Sequence, residues 1–590
     1  MSSYIGYTPW KKLKKLFIIT KGIIGEFGLK YFFYVVNLEL KKQGFSIFTP
    51  DEKPVPLYSE KNFQEKYQLF LNKMNEEQSK TNYDLIYSPN LLFVLFANSK
   101  NFKDILLSIS SLQTQLYQNW GASIFVTDEK IKENLVSEKL PSNVSLLQNF
   151  SIKNLVTKDY DYCAFLTPGT ILHQHSIQEF IKYIDEQKQS DILYCDHDII
   201  ESTNTRSKPF FKPDWDLYLL RSLNYFSPFF IIKKNLIDRC IEPNISNCYA
   251  FDILLQCIEM TDNIFHISKP LISLSVKPKI DLECTQNSLS SHLVRMNIDA
   301  KVEKGISENT FRINYTITKK PKVSIIIPTK NNFKILSRCI TSIEKKTHYK
   351  NWEIIIIDNS DETIKKDHSK LKNYLESSPY KILRYEENFN FSKMNNDAVK
   401  LSTGEILLFL NDDTKILDPY WLDELVSIIL QKDVGVVGPK LTYSDNTIQH
   451  AGMVFLKTGS GFHPFMKEPE NSSGYNNLLN VMREYSAVTG ACLMTTRKIF
   501  DQVNGFDNQF DAYYGDSDLC LKIHKEGFRI VFTPFTKLLH EGSFSIAGSG
   551  ASYFAVESHL DFINKWPSLT EGDPSYNANL GWNYDIDILD

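Results

Sequence analysis

The sequence predicts an α/β protein built from two tandem copies of one mostly parallel sheet flanked by helices, with a helical segment in front. Three observations predict it. The chain repeats itself: SSLQTQLYQNW at 110–120 returns as TSIEKKTHYKNW at 341–352, and FLTPGTIL at 165–172 returns as FLNDDTKIL at 409–417. Each copy alternates apolar runs with helix-period segments, with LLFVLFA and SIFVTD around the first repeat and VSIIIP and EIIIID around the second. Continuous apolar runs of this kind suit strands buried in a parallel sheet. Polar residues follow those runs directly at 329–331, 358–360 and 411–413. In such sheets ligands sit beyond the carboxyl ends of the strands.

The repeat sets the expected boundaries: a helical N-terminal segment over 1–88, the first copy over 89–300, a linker over 301–320, and the second copy with a C-terminal extension over 321–590. With 42% hydrophobic and 23% charged residues, the 590-residue chain has a globular composition. Its 66 basic and 70 acidic residues nearly cancel, to a net charge of -4, which argues against a nucleic-acid partner. Nine cysteines without a CxxC pair suggest neither a zinc ribbon nor a disulfide framework, and so a reducing, cytoplasmic setting. The stretch FIITKGIIGEFGLKYFFYVV is broken by Lys21, Glu26 and Lys30, so it is neither a membrane span nor a signal peptide. On a helix, residues 10–31 gather Leu13, Leu16, Phe17, Ile24, Phe27 and Tyr31 on one side, with lysines on the flanks and opposite face. Such a helix either lies peripherally on the inner face of an anionic cytoplasmic membrane or packs on its own protein.

The second copy carries the chemistry. Asp412 and Asp413 follow an apolar strand, and two hard oxygen ligands there suit Mg2+ or Mn2+ shared with substrate phosphates; an Asp-rich turn is the plainer alternative. In YYGDSDLCLKI, Asp518 reads as a helix cap and Asp516 as a general base able to take a proton from an acceptor hydroxyl. His540 follows a strand in TKLLHEGSFS; taken alone, it reads as structural.

These residues sit in an ordered set: PKVSIIIPTKNN, YKNWEIIIIDNSDE, NFNFSKMNN, GEILLFLNDDT, IQHAG, AVTGACLM, GFDNQFDAYYGDSDLCLKIHKEGFRI, LLHEGS and DPSYNANL. Together they resemble a family 2 glycosyltransferase, in the subgroup of bacterial O-antigen and polysaccharide biosynthesis proteins that carry two such domains in tandem. The resemblance implies two GT-A-like (Rossmann-like) domains that bind a nucleotide sugar at the strand ends. It also implies roles. Pro328 and Thr329 match the first nucleotide-contacting loop, and Asp358 the acidic residue that holds the base. Lys393 and Asn396 match the next nucleotide-side motif. Asn411, Asp412 and Asp413 match the metal-binding DxD in the variant form NxD, with Asp413 the ligand of a divalent cation (Mn2+ or Mg2+) and Asp412 a donor contact. Asp516 matches the catalytic base, with Gly515 in place of the usual preceding acid. His540 matches a late histidine of the metal or diphosphate site.

The first copy has lost residues. FLTPGT on FLNDDT sets Thr167, Pro168 and Gly169 at the metal loop, Ser273 is expected in the place of the histidine, and Asp252 is the candidate counterpart of Asp516. Asp196 and Asp198 match a later strand, the counterpart of DVGVVGP at 433–439. Phe210, Phe211, Trp215 and Tyr225 suit either sugar stacking or the core. The expectation is an inverting glycosyltransferase that moves a sugar from a nucleotide-sugar donor to a hydroxyl of a glycan or lipid-linked glycan acceptor, extending a bacterial surface glycan. The alternative is a noncatalytic glycan-binding or scaffold protein of a polysaccharide assembly complex.

Overall fold

Nine strands build the first sheet: β1 (Leu91–Ala97), β2 (Trp120–Val126), β3 (Val144–Gln148), β4 (Tyr162–Leu166), β5 (Thr170–Leu172), β6 (Ile192–Ile200), β7 (Arg206–Phe210), β8 (Phe229–Lys233) and β9 (Ile264–Leu274). They come from a computed structural model of the protein, which describes residues 60–586 apart from 84, 99–100, 127, 187–189, 244–247, 276–279, 361–364 and 543–555. The reading of residues 10–31 as a membrane-facing helix lies outside the described residues.

After a hairpin of β10 (Ala300–Lys304) and β11 (Phe311–Tyr315), the second sheet takes β12 (Val323–Thr329), β13 (Trp352–Asp358), β14 (Lys381–Arg384), β15 (Ile406–Leu410), β16 (Thr414–Ile416) and β17 (Val434–Thr442). It continues through β18 (Ile448–His450), then past the small hairpin β19 (Val454–Phe455) and β20 (Gly461–Phe462), to β21 (Arg483–Glu484), β22 (Cys492–Thr496) and β23 (Arg529–His540).

The repeat is a repeat of topology. The first sheet runs β3-β2-β1-β4-β8-β6-β9-β5 and the second β14-β13-β12-β15-β22-β17-β23-β16, the same path strand for strand. In both, four neighbouring pairs on the path are parallel and the short strand after the fourth parallel one pairs antiparallel with the last long strand. β6 thus occupies the place of β17, where the sequence set Asp196 and Asp198. The central strands β4 and β15 are buried along their whole length, which is why they read as unbroken apolar runs. Helices cover the faces: in Phe333–Lys346 the buried Leu336, Cys339, Ile340 and Ile343 recur at helical spacing, and Asn332 caps it by accepting from Ile335 N at 3.2 Å.

One of the three buried apolar clusters among the described residues is common to both halves. A single cluster of buried apolar residues runs from Phe63 through β4 and β12 to Ile586. The helix Glu60–Lys80 buries Phe63, Tyr67, Leu71 and Met74 in it, so this part of the expected N-terminal helical segment packs on its own protein. Phe210, Phe211 and Tyr225 are buried too, the core reading of that aromatic group. Residues 301–320, expected as linker, hold the β10–β11 hairpin, whose Phe311, Ile313 and Tyr315 are buried and whose Arg312 pairs with Glu424 of the second copy at 2.5 Å.

The segment DPSYNANL folds back onto the first copy. Asn577 Nδ2 donates to both carboxylate oxygens of Asp196 (3.1 and 3.0 Å) and to Lys212 O (2.8 Å), while Asp214 N donates to Pro574 O at 2.9 Å. Buried His266 completes the knot, with Nε2 2.8 Å from Asp196 and Nδ1 3.0 Å from Asp214; the two carboxylates and their hydrogen bonds outweigh burial and hold its pKa above the usual histidine value. Cys248 and Cys284 form one disulfide, where two helices bring residues 36 apart in sequence to a Cα separation of 5.9 Å. The other seven are free.

Candidate active site

Strand pairing assembles the second copy's site. β12 and β13 run parallel with Thr329 opposite Asp358, so both end on one edge. β15 ends at Leu410 on the neighbouring side of β12, and the loop 411–413 turns there into β16, whose Thr414 lies opposite His540. Four polar segments far apart in sequence therefore meet at one end of the sheet.

Their side chains engage each other. Thr329 Oγ1 donates to Asp412 Oδ2 at 2.6 Å. Burial, with the neighbouring Asp413 charge set against this hydrogen bond, pushes the Asp412 carboxyl up to about 7. His540 Nε2 stands 3.0 Å from Asp413 Oδ1 and 3.3 Å from Asn411 Nδ2. Asp413 Oδ2 accepts from Gly542 N at 3.1 Å, whereas buried Asp413 Oδ1 and His540 Nδ1 have no hydrogen-bond partner among the described residues. Buried polar atoms are ordinarily satisfied. A buried carboxylate oxygen whose close polar neighbour is an imidazole nitrogen is a donor set that fits Mn2+ or Mg2+, with the remaining positions left to phosphate and water. Among the described residues no group of three or more His, Cys, Asp or Glu side chains could hold a metal by itself.

Asp516 opens the helix Gly515–Lys525. Its Oδ2 accepts from Gly490 N at 2.7 Å and its Oδ1 from Ser517 N at 2.7 Å; burial raises its pKa against those donors. Tyr514 just before it has φ 65°, a left-handed conformation unusual for a residue with a side chain. A Cβ at Gly515 would fall 2.7 Å from Ser392 Oγ, so the acidic residue usual at this position has no room. Asp518 meets Trp566 Nε1 at 2.9 Å and Lys565 Nζ at 2.7 Å, a structural role. The dipeptide Gly490–Ala491 of AVTGACLM ties Asp516 to the loop: Gly490 N donates to it, and Ala491 O accepts from Asn411 N at 3.0 Å.

The expected nucleotide side is more dispersed. Half-exposed Pro328 lies on the same strand as Thr329. Asp358 is buried, accepts from Ser360 N at 3.1 Å and pairs with Arg384, the residue opposite it at the end of β14. Lys393 pairs with Glu387 at 2.8 Å and Asp397 at 3.1 Å, which raises its pKa. Asn396, expected beside Lys393, holds a loop: its Nδ2 donates to Phe506 O and its Oδ1 accepts from Phe506 N, at 2.8 and 2.9 Å, so the amide clamps the 506–508 segment. Sequence reasoning missed Arg384 and the Gly490 amide; the basic end of KILR and the glycine of AVTGACLM were the signals.

The first copy lacks these groups, and two of its correspondences are corrected. β5 sets Thr170 opposite Leu274, as β16 sets Thr414 opposite His540, so Leu274 and not Ser273 stands at the histidine's position. Ser273 points to the other face, onto His173 (2.8 Å) and Asp198. Asp252 donates its amide to Cys248 O as Asp518 does to Tyr514 O, so it corresponds to Asp518, and Ala250 takes the place of Asp516.

Comparisons with known proteins agree with this layout. Residues 324–503 match the family described as glycosyl transferase family 2, and residues 473–541 the one described as N-terminal domain of galactosyltransferase. The O-antigen biosynthesis protein RfbC of Myxococcus xanthus is 32% identical over 435 residues, 71% of this chain and 34% of that protein. The uncharacterized protein y4gI of Sinorhizobium fredii is 32% identical over 440 residues, 71% of this chain and 48% of that one. The chain thus spans between a third and a half of the length of these relatives. A mannosyltransferase from Pyrobaculum calidifontis, solved with GDP-Man and Mn2+, aligns with a TM-score of 0.31 and 17% identity over 42% of this chain and 65% of that one. Residues 324–503 of the second copy, which carry β12 to β22 and the acidic loop, match glycosyl transferase family 2.

Proposed function

We propose that the second copy is an inverting glycosyltransferase that moves a sugar from a nucleotide-sugar donor to a hydroxyl of a growing bacterial surface glycan, free or lipid-linked. The observation that carries this reading is the Gly490–Ala491 link, which holds a carboxylate base and an acidic loop on one frame.

Asp516 is the proton acceptor. Two backbone amides fix its carboxylate, and its raised pKa brings it nearer the neutral range in which a base is effective. It deprotonates the acceptor hydroxyl, which attacks the anomeric carbon from the face opposite the diphosphate, so the configuration inverts. Thr329 and Asp412 position the donor from the neighbouring strand end. Asp413 and His540 would hold a divalent cation. When bound, that cation offsets negative charge developing on the leaving diphosphate. Among the described residues no helix is long and apolar enough to cross a membrane. A cytoplasmic enzyme, held peripherally at the inner membrane through residues 10–31, fits a lipid-linked acceptor.

The first copy, with Gly169, Leu274 and Ala250 at the three key positions, supports a noncatalytic unit that braces the second. A thermal-shift series with UDP, GDP, dTDP and CMP, each with and without Mn2+, tests the reading. A ligand that binds only the native state adds about 2.7 kcal/mol at a hundredfold excess over its Kd. One nucleotide should give a manganese-dependent shift that Asp413→Ala abolishes. No shift with any of the four, from folded protein, would favour the scaffold alternative.

A further inference from the structure

We propose that Arg338 is a diphosphate-binding residue that exchanges its ion pair with Glu541 for the donor's diphosphate; this deepens the transferase reading and rests on it.

The helix Phe333–Lys346 lies alongside β16 in step with it. Ser342 Oγ accepts from Ile416 N at 3.0 Å, and Cys339 Sγ lies 3.5 Å from Thr414 Oγ1. Continuing that step sets Arg338 level with Asp413. Its Nη1 donates to Glu541 Oε1 at 2.6 Å, and Glu541 N donates to Asp413 O at 3.3 Å, so the ion pair sits directly behind the acidic loop. Arg338 Nε and Nη2 are buried with no hydrogen-bond partner among the described residues. A guanidinium carries five donors in a rigid fork, and desolvated donors left unpaired cost free energy. The pair itself is not locked in, since the two side chains are 36% and 26% exposed. A diphosphate offers the several oxygens, matched to a fork, that one Glu541 oxygen does not.

The first copy is an internal control. There Ser111 Oγ accepts from Leu172 N at 3.1 Å, the counterpart of the Ser342–Ile416 bond. Four residues earlier stands Leu107 where the second copy has Arg338. Leu274 takes the position of His540, so Ser275 takes that of Glu541. Arginine and its partner are present only in the copy that keeps Asp413 and His540. Arg338 therefore follows the acidic loop and not the shared helix-to-strand frame, which both copies keep.

The rival role is a latch, in which Arg338 serves only to hold Glu541 and through it His540. Calorimetric titration of the full chain with inorganic pyrophosphate in Mn2+ separates the two. Arg338→Ala, melting like the wild type, should weaken pyrophosphate binding at least tenfold, Arg338→Lys less, and Glu541→Gln should bind as well as the wild type or better, because the competing carboxylate is gone. Binding by Arg338→Ala equal to wild type, or a loss in Glu541→Gln as large as in Arg338→Ala, overturns the proposal while leaving the transferase reading intact. A wild-type protein that binds neither pyrophosphate nor any nucleoside diphosphate overturns both.

Discussion

Two sheets with one strand order have met opposite fates at the same edge. In the second, Asp413 and His540 meet and Asp516 is tied to their loop through Gly490–Ala491; in the first, Gly169, Leu274 and Ala250 stand at those positions. The frame has nonetheless been kept in both, including the serine that bridges helix to short strand. The path of the chain is therefore fixed by buried apolar strands, and the chemistry rests on a few residues at their ends that can be exchanged without disturbing it.

The largest test of that contrast is Asp516→Asn. It should lower transfer by about 10²–10⁴-fold, the usual worth of a general base, and leave nucleotide binding unchanged, as read from initial rates and from calorimetry. In the intact enzyme a raised carboxyl pKa has a sign: the base is lost as pH falls through a value above the ordinary 3.9 or so of aspartate, so the acid limb of kcat/KM should lie above that value and vanish in the asparagine variant.

Asn577→Ala acts where the two halves meet. It takes the donor from Asp196 Oδ2 and the Lys212 carbonyl, while Asp196 Oδ1 keeps Lys212 N and His266, at a cost of about 1–3 kcal/mol visible as a lower melting temperature. Gly169→Asp should have the smallest effect on turnover. It restores one carboxylate without the histidine, and at φ 89° a side chain is strained, so it should cost about 1 kcal/mol of stability and produce no new manganese-dependent shift. A gain of metal binding there would show that the first copy is closer to function than its residues indicate.

Much of this was legible in the sequence because it is carried locally. Apolar runs followed directly by polar clusters mark buried strands and their ends, so Thr329, Asp358 and the 411–413 loop could be set on one edge. The single-residue slip at Ser273 and Leu274 was not legible. Side chains alternate across a strand, and β6 and β9 change register between Cys195 and His197, so counting residues without pairing lands on the wrong face. The Asn396 contact was not legible either: a half-buried helical asparagine gives no sign in sequence that a loop more than a hundred residues later will claim both ends of its amide. The Arg384 partner of Asp358 and the Asn577 bridge likewise depend on strand register and on a returning segment, both long-range.

That returning segment also bears on how the protein can be dissected. Asp573 takes hydrogen bonds from Phe455 N and Ser486 Oγ of the second copy, and four residues on Asn577 is inserted into the first. Scissors applied at the β10–β11 hairpin would not yield two autonomous pieces. They would part Tyr218 of the first half from Asp433, to which it donates, and leave Asn577 and Arg483 of the second facing water instead of Asp196 and Asp216. On the proposed reading, the copy without a reaction of its own is the second wall of a vault that keeps the roof over the other.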